Sequence, residues 1–198
     1  MKRLIFIIII IFSLQSLAKA DDIRDLEIRD ISVGDNALNH FSKKILDENK
    51  GYYPKSKKIW RTYVMLDNEQ FDLIQMHIKS SNNNYKILAV AGIIYFYDRI
   101  NGEKECINKR DEIVNDLSQV LVNTSKSKEE KNKHDGDITG KSYEYAIFFD
   151  FKDDYSEYVK VGCLISSDEY LEKKYQNHHL RLSLTTSEYH YWLKNEAH

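Results

Sequence analysis

The sequence predicts an α+β fold, one antiparallel sheet of about five or six strands with two main helices packed on one face. Three observations carry this. The run Tyr85 to Tyr97 is β-branched and aromatic, and both of its alternating sets are apolar, which suits an interior strand covered on both sides. From Glu103 the period becomes helical and gathers Cys106, Arg110, Ile113, Leu117, Val120 and Leu121 on one stripe. The shorter alternating runs on either side are separated by turn residues instead of helices, so their pairing is antiparallel.

The chain opens on a leader. Lys2-Arg3 is a positive start, Leu4 to Leu14 an apolar core, and Ala18-Lys19-Ala20 has the form of a cleavage site. Residues 1–20 are therefore expected to be a signal peptide, and the apolar run is too short for an ordinary membrane span. The mature protein would be periplasmic or secreted, with no stable membrane span after cleavage. Residues 21–198 then form a single domain, long enough for a substantial core.

Asp21 to Asp30 is charged and reads as extended. Ile31-Ser32-Val33-Gly34 leads to a helix capped by Asp35 or Asn36, with Ala37, Leu38, Phe41 and Ile45 on its apolar face. Trp60 to Leu66, Phe71 to Ile78 and Tyr85 to Tyr97 read as an antiparallel meander, joined by turns at 67–70 and 80–84. The crossover helix follows. Residues 123–142 hold no aromatic and only Ile138 among the aliphatics, so a mobile loop is expected there. Tyr143 to Phe151 and Tyr158 to Ser166 form a hairpin, Leu180 to Leu184 is a last strand, and Thr186 or Ser187 caps a short helix carrying Tyr191 and Trp192.

The two cysteines of an exported chain are natural partners. Cys106 lies on the apolar stripe of the helix, and Cys163 alternates with Val159, Val161 and Ile165. Both point at the helix–sheet interface, so a disulfide is expected.

Composition narrows the function. The chain carries 29 basic and 31 acidic residues, and loss of Lys2, Arg3 and Lys19 with the leader makes it more acidic, which argues against nucleic acid as a partner. No nucleophile elbow, Walker loop or dinucleotide fingerprint occurs, and seven glycines leave little for a phosphate-cradling loop. No cofactor and no catalytic residue is assigned. Oxygen ligands for calcium are offered by Asp150, Asp153, Asp154 and Glu157 in one acidic turn, with Asp135 and Asp137 nearby in sequence. His178, His179 and His190 with Glu188 offer nitrogen and oxygen donors, but at no zinc spacing. Tyr143, Tyr145, Tyr189 and Trp192 are candidates for an aromatic ligand face. The expectation is an exported, non-enzymatic binding or interaction module, whose partner is an envelope protein or a small ligand. The alternatives are a small hydrolase built on carboxylates or histidines, and a calcium-dependent ligand binder.

The segment Ile31-Ser32-Val33-Gly34-Asp35, followed by an amphipathic helix and antiparallel strands, resembles the opening of small envelope proteins of the SmpA/OmlA type and of β-lactamase-inhibitor-like proteins. The former are accessory lipoproteins of outer-membrane β-barrel assembly. The chain also resembles small exported envelope proteins of unknown function. It departs from the SmpA/OmlA type in lacking a lipid-attachment cysteine and in its longer second half, and no functional residue carries over.

Overall fold

The structure is a computed structural model and describes residues 20–67, 70–80, 84–134, 136–174 and 177–198. The expected signal peptide lies, but for Ala20, outside the described residues. The strands are β1 (Gly51–Tyr52), β2 (Ile59–Met65), β3 (Leu73–Lys79), β4 (Ile87–Phe96), β5 (Ser125–Lys126), β6 (Glu130–Lys133), β7 (Tyr143–Asp150), β8 (Tyr158–Ile165) and β9 (His178–Thr185). The helices are α1 (Lys43–Glu48), α2 (Gly102–Val120), α3 (Asp168–Lys174) and α4 (Ser187–Asn195). The strands form one nine-stranded sheet in the order β1-β2-β3-β4-β9-β8-β7-β5, with β6 also paired to β7. Every pairing is antiparallel.

This corrects the predicted fold class. The protein is mostly sheet, with nine strands where five or six were expected. The extra strands come from segments without apolar alternation. β5 and β6 lie within the stretch expected to be a loop, and β6 is exposed throughout. They form because β7 presents an open edge to pair with, a tertiary cause that local composition does not carry.

The helices are also divided between the two faces. Ile87 and Val90 of β4 join the main core with Cys106, Val114, Val161, Cys163 and Leu180, so α2 covers that face. Leu88 and Ala89 pack with Tyr189 and Trp192, so α4 covers part of the other. An interior strand apolar on both sides needs a cover on each, and the two helices supply one apiece. Among the described residues, no helix is long and apolar enough to cross a membrane.

The amino-terminal segment closes the main core. Its charges had suggested an extended arm, yet Ile23, Ile28 and Ile31 are among its most deeply buried residues. A 3-10 turn at Ile23–Asp25, capped by Asp22, turns Ile23 inward. The single helix expected after Asp35 is instead a 3-10 turn, Ala37–Asn39 capped by Asn36, followed by α1 capped by Ser42. Two side-chain caps six residues apart each start a new turn, which breaks one helix into two.

Cys106 and Cys163 form the predicted disulfide, with Cα atoms 5.9 Å apart. It ties the first turns of α2 to β8. Close approach also decides one glycine. A Cβ on Gly92, in the middle of β4, would lie 2.5 Å from the Phe71 ring. Gly92→Ala should therefore cost about 1–3 kcal/mol in urea unfolding through overpacking. Combination with Phe71→Leu should recover part of that loss; a silent Gly92→Ala would refute the contact.

Candidate functional site

α4 covers only one end of its face of the sheet. Beyond it, over β4, β9, β8 and β7, the outward set is left open. Cross-strand register brings Ile93 of β4 opposite Arg181 of β9, which in turn faces Gly162 of β8. The neighbouring row is Tyr95, His179, Leu164 and Glu144. With Tyr97, His134, Lys160 and Asn177 these residues, Gly162 excepted, line a hollow of about 580 Å³. That lies within the usual size of a small-molecule site.

Each wall has a local cause. Gly162 yields its side-chain space to Glu144, since a Cβ there would lie 2.9 Å from a Glu144 carboxylate oxygen. Glu144 reaches across it to Lys160, and the two pair at 2.6 Å. Tyr95 stands edge-on to His179 with ring centres 5.8 Å apart, and Tyr97 is tilted against Tyr95 at 6.2 Å. Burial raises the Tyr95 pKa, so the hydroxyl stays protonated and can donate. His179 donates from Nδ1 to the Asn177 carbonyl at 3.2 Å, which leaves Nε2 as an acceptor. Burial, ahead of the Arg181 charge, pushes the His179 pKa down to about 4, so the ring is neutral at pH 7.

The rim is held by a latch. Asp137, 5% exposed, accepts from the Thr139 amide and hydroxyl through Oδ1 and from the Ser142 amide and hydroxyl and the Ser167 hydroxyl through Oδ2. Desolvation raises its pKa, but these hydrogen bonds outweigh it and hold the carboxyl far below the usual range. The latch fixes the chain beside His134, whose Nε2 meets the Tyr170 hydroxyl at 3.2 Å. So part of the polar 123–142 segment is ordered by one carboxylate.

Arg181 sits at the centre of the floor. Among the described residues no hydrogen bond or ion pair reaches its guanidinium, and desolvation lowers its pKa. Arg110, buried on the opposite face, shows the contrast. Its guanidinium meets Asp111 at 2.7 Å, Glu129 at 2.6 Å and the Tyr145 carbonyl at 3.4 Å.

The residues proposed from sequence are not brought together. Tyr143 and Tyr145 lie on the α2 side of β7, under the Lys131 ammonium at 4.3 and 5.0 Å. Tyr189 and Trp192 are buried on the other face, where the Tyr189 hydroxyl bonds Tyr53 at 2.8 Å and His77 at 3.3 Å. In the acidic turn, Asp150 is buried at the end of β7 and Glu157 is paired with Lys152 at 3.2 Å. Asp154 accepts from Ser156, and Asp153 is exposed. His178 and His179, adjacent in β9, point to opposite faces, and the His178 Nδ1 accepts from the Ser166 amide at 3.1 Å. His190 packs edge-on to Tyr158. Among the described residues no group of three or more His, Cys, Asp or Glu is placed to hold a metal ion. Asp135 lies outside the described residues; of the described residues singled out in sequence as metal or ligand candidates, only His179 lines the hollow. In sequence Arg181 is one polar residue of the last strand, Leu180 to Leu184, and the signal that marks it, the lack of an ion pair among the described residues, exists only in three dimensions.

No protein-family model, curated protein or solved structure matches the chain.

Proposed function

We propose that the protein is an exported module that binds a small organic molecule without transforming it, and that the hollow over β4, β9, β8 and β7 is its site. The observation that carries this reading is the hollow itself, a space of about 580 Å³ on the part of the sheet face that α4 leaves open. Its walls are rigid strand residues that combine apolar surface (Ile93, Leu164), aromatic faces (Tyr95, Tyr97) and a few polar groups. Such a mixture grips and orients a ligand. Among the described residues no Ser, Thr or Cys lines it, its carboxylate is neutralised by Lys160, and no carboxylate hydrogen-bonds the His179 ring. These features favour binding over a carboxylate- or histidine-based hydrolase. Export agrees with the disulfide and the leader.

The test is a thermal-shift screen of the purified protein against small acids, sugars, short peptides and divalent cations at millimolar concentration, repeated on Tyr97→Ala. Tyr97 is 68% exposed, so its truncation should leave the unliganded melting temperature nearly unchanged. A hit should stabilise the wild type by an amount that grows with its concentration, and bind Tyr97→Ala roughly tenfold more weakly. A screen with no hit, or a hit indifferent to Tyr97, would sink the assignment of the site.

A further inference from the structure

Resting on that reading of the hollow, we infer that its ligand is a small organic monocarboxylate whose carboxylate is held by Arg181. Three features of the site converge on this class.

The first is the unmet guanidinium. A charge taken out of water costs several kcal/mol unless partners replace its hydration. The protein provides those partners for Arg110, with two carboxylates and a carbonyl. Among the described residues it gives half-buried Arg181 no hydrogen bond and no ion pair, only the more distant charge of Glu144, though Arg181 sits on the floor of a hollow between Ile93 and Gly162. The five N–H donors of a guanidinium form a planar fork that matches a carboxylate with two parallel hydrogen bonds. Gly162, beside Arg181, lacks a side chain, and the space is taken by the Glu144 carboxylate in its pair with Lys160, so the fork is free on its hollow side.

The second is the charge count. Lys160 and Glu144 neutralise each other at 2.6 Å, and His179 is uncharged. Arg181 is then the one uncompensated positive charge among these four. A single negative charge completes it, whereas a dianionic phosphate leaves an excess negative charge beside the Glu144 carboxylate.

The third is the surround. Ile93 and Leu164 offer apolar contact, Tyr95 and Tyr97 offer ring faces, and the His179 Nε2 offers an acceptor. A body with a ring or short chain, and a hydroxyl or amide to donate, fits this lining.

The experiment uses titration calorimetry of the full protein with benzoate, benzamide and phenyl phosphate as probes, on the wild type, Arg181→Met and Arg181→Lys. Benzoate should bind, benzamide at least tenfold more weakly, and Arg181→Met should weaken benzoate at least tenfold. Arg181→Met should also melt no lower than the wild type, because it loses no partner. If it does not fold, Arg181→Lys carries the test, since it keeps the charge but loses the fork and should still weaken benzoate several-fold. Equal binding of benzamide and benzoate, with Arg181→Met unaffected, would overturn the carboxylate and leave the hollow as a binding site. Tighter binding of phenyl phosphate would overturn the monocarboxylate assignment in favour of a phosphoryl group. No binding of any probe would overturn both the carboxylate and the site.

Discussion

Reduction of the Cys106–Cys163 disulfide is expected to remove about 4 kcal/mol of stability and to lower the melting temperature by roughly 8–16 °C. The bridge closes a loop of 57 residues, and the chain-entropy model assigns that loop about 4 kcal/mol of restraint on the unfolded chain. The folded side of the balance argues the same way. α2 reaches the sheet through a narrow buried stripe, Cys106, Arg110 and Val114, and Arg110 spends its contacts on polar partners. The bridge joins that stripe to β8, next to β9 and the floor of the hollow. Both sulfurs belong to fully buried residues, so alkylation of the native protein without reductant should label neither. Urea unfolding with and without dithiothreitol measures the loss, and a Cys106→Ala, Cys163→Ala double variant should reproduce it. A difference below about 1 kcal/mol would mean that helix packing alone holds α2 in place.

The bridge was legible because both cysteines fell on recognisable apolar periods, one helical and one alternating. β4 and α2 were legible for the same reason. What the sequence concealed depends on pairings between distant segments. β4 lies beside β9, with Ala89 opposite Thr185 and Phe96 opposite His178, and nothing local announces that neighbour. Without it, Ile93, Tyr95, His179 and Arg181 have no reason to be read as one surface. β6 was hidden for a related reason, since Glu130–Lys133 has no strand composition and forms by pairing with β7 while Lys131 covers two tyrosine rings. α3 had a cap in plain view, Ser167, whose hydroxyl accepts the Tyr170 amide, but too few apolar residues follow to mark a helix. The abundance of tyrosine in the last third does not place its rings on one face. Most of these rings are committed to the protein's own packing, and the residues that line the hollow include an arginine and a lysine–glutamate pair.

Acid should destabilise this protein between pH 6.5 and about 4, chiefly through its histidines. Burial, reinforced by the charges of Arg181 and Arg61, holds the His77 pKa well below its ordinary value of 6.5. Burial also takes His179 down to about 4, and His178 shifts in the same direction. An unfolded chain protonates all three near 6.5, whereas the folded chain resists until lower pH. In that window the unfolded state binds more protons, so stability falls as pH falls. Above pH 6.5 both states are neutral at these rings and the contribution is fully present. His179 alone accounts for up to about 3 kcal/mol across its shift, less whatever its partial exposure screens. His77 adds to this, because it is 4% exposed and its two nitrogens meet the Tyr53 and Tyr189 hydroxyls at 3.1 and 3.3 Å. Asp137, whose pKa is depressed from 3.8, contributes in the same sense only below that value. Asp150, raised by burial, opposes them weakly near pH 4. Urea midpoints at pH 7, 6, 5 and 4 should therefore descend steadily, by several kcal/mol in all. A flat or rising profile would show that the histidines are charged in the folded protein. Arg181→Met should soften the descent, because removing a nearby positive charge lets His77 and His179 accept protons more readily in the folded state. The same substitution that should weaken carboxylate binding should thus make the protein more tolerant of acid, two readouts of one unpaired charge beneath the hollow.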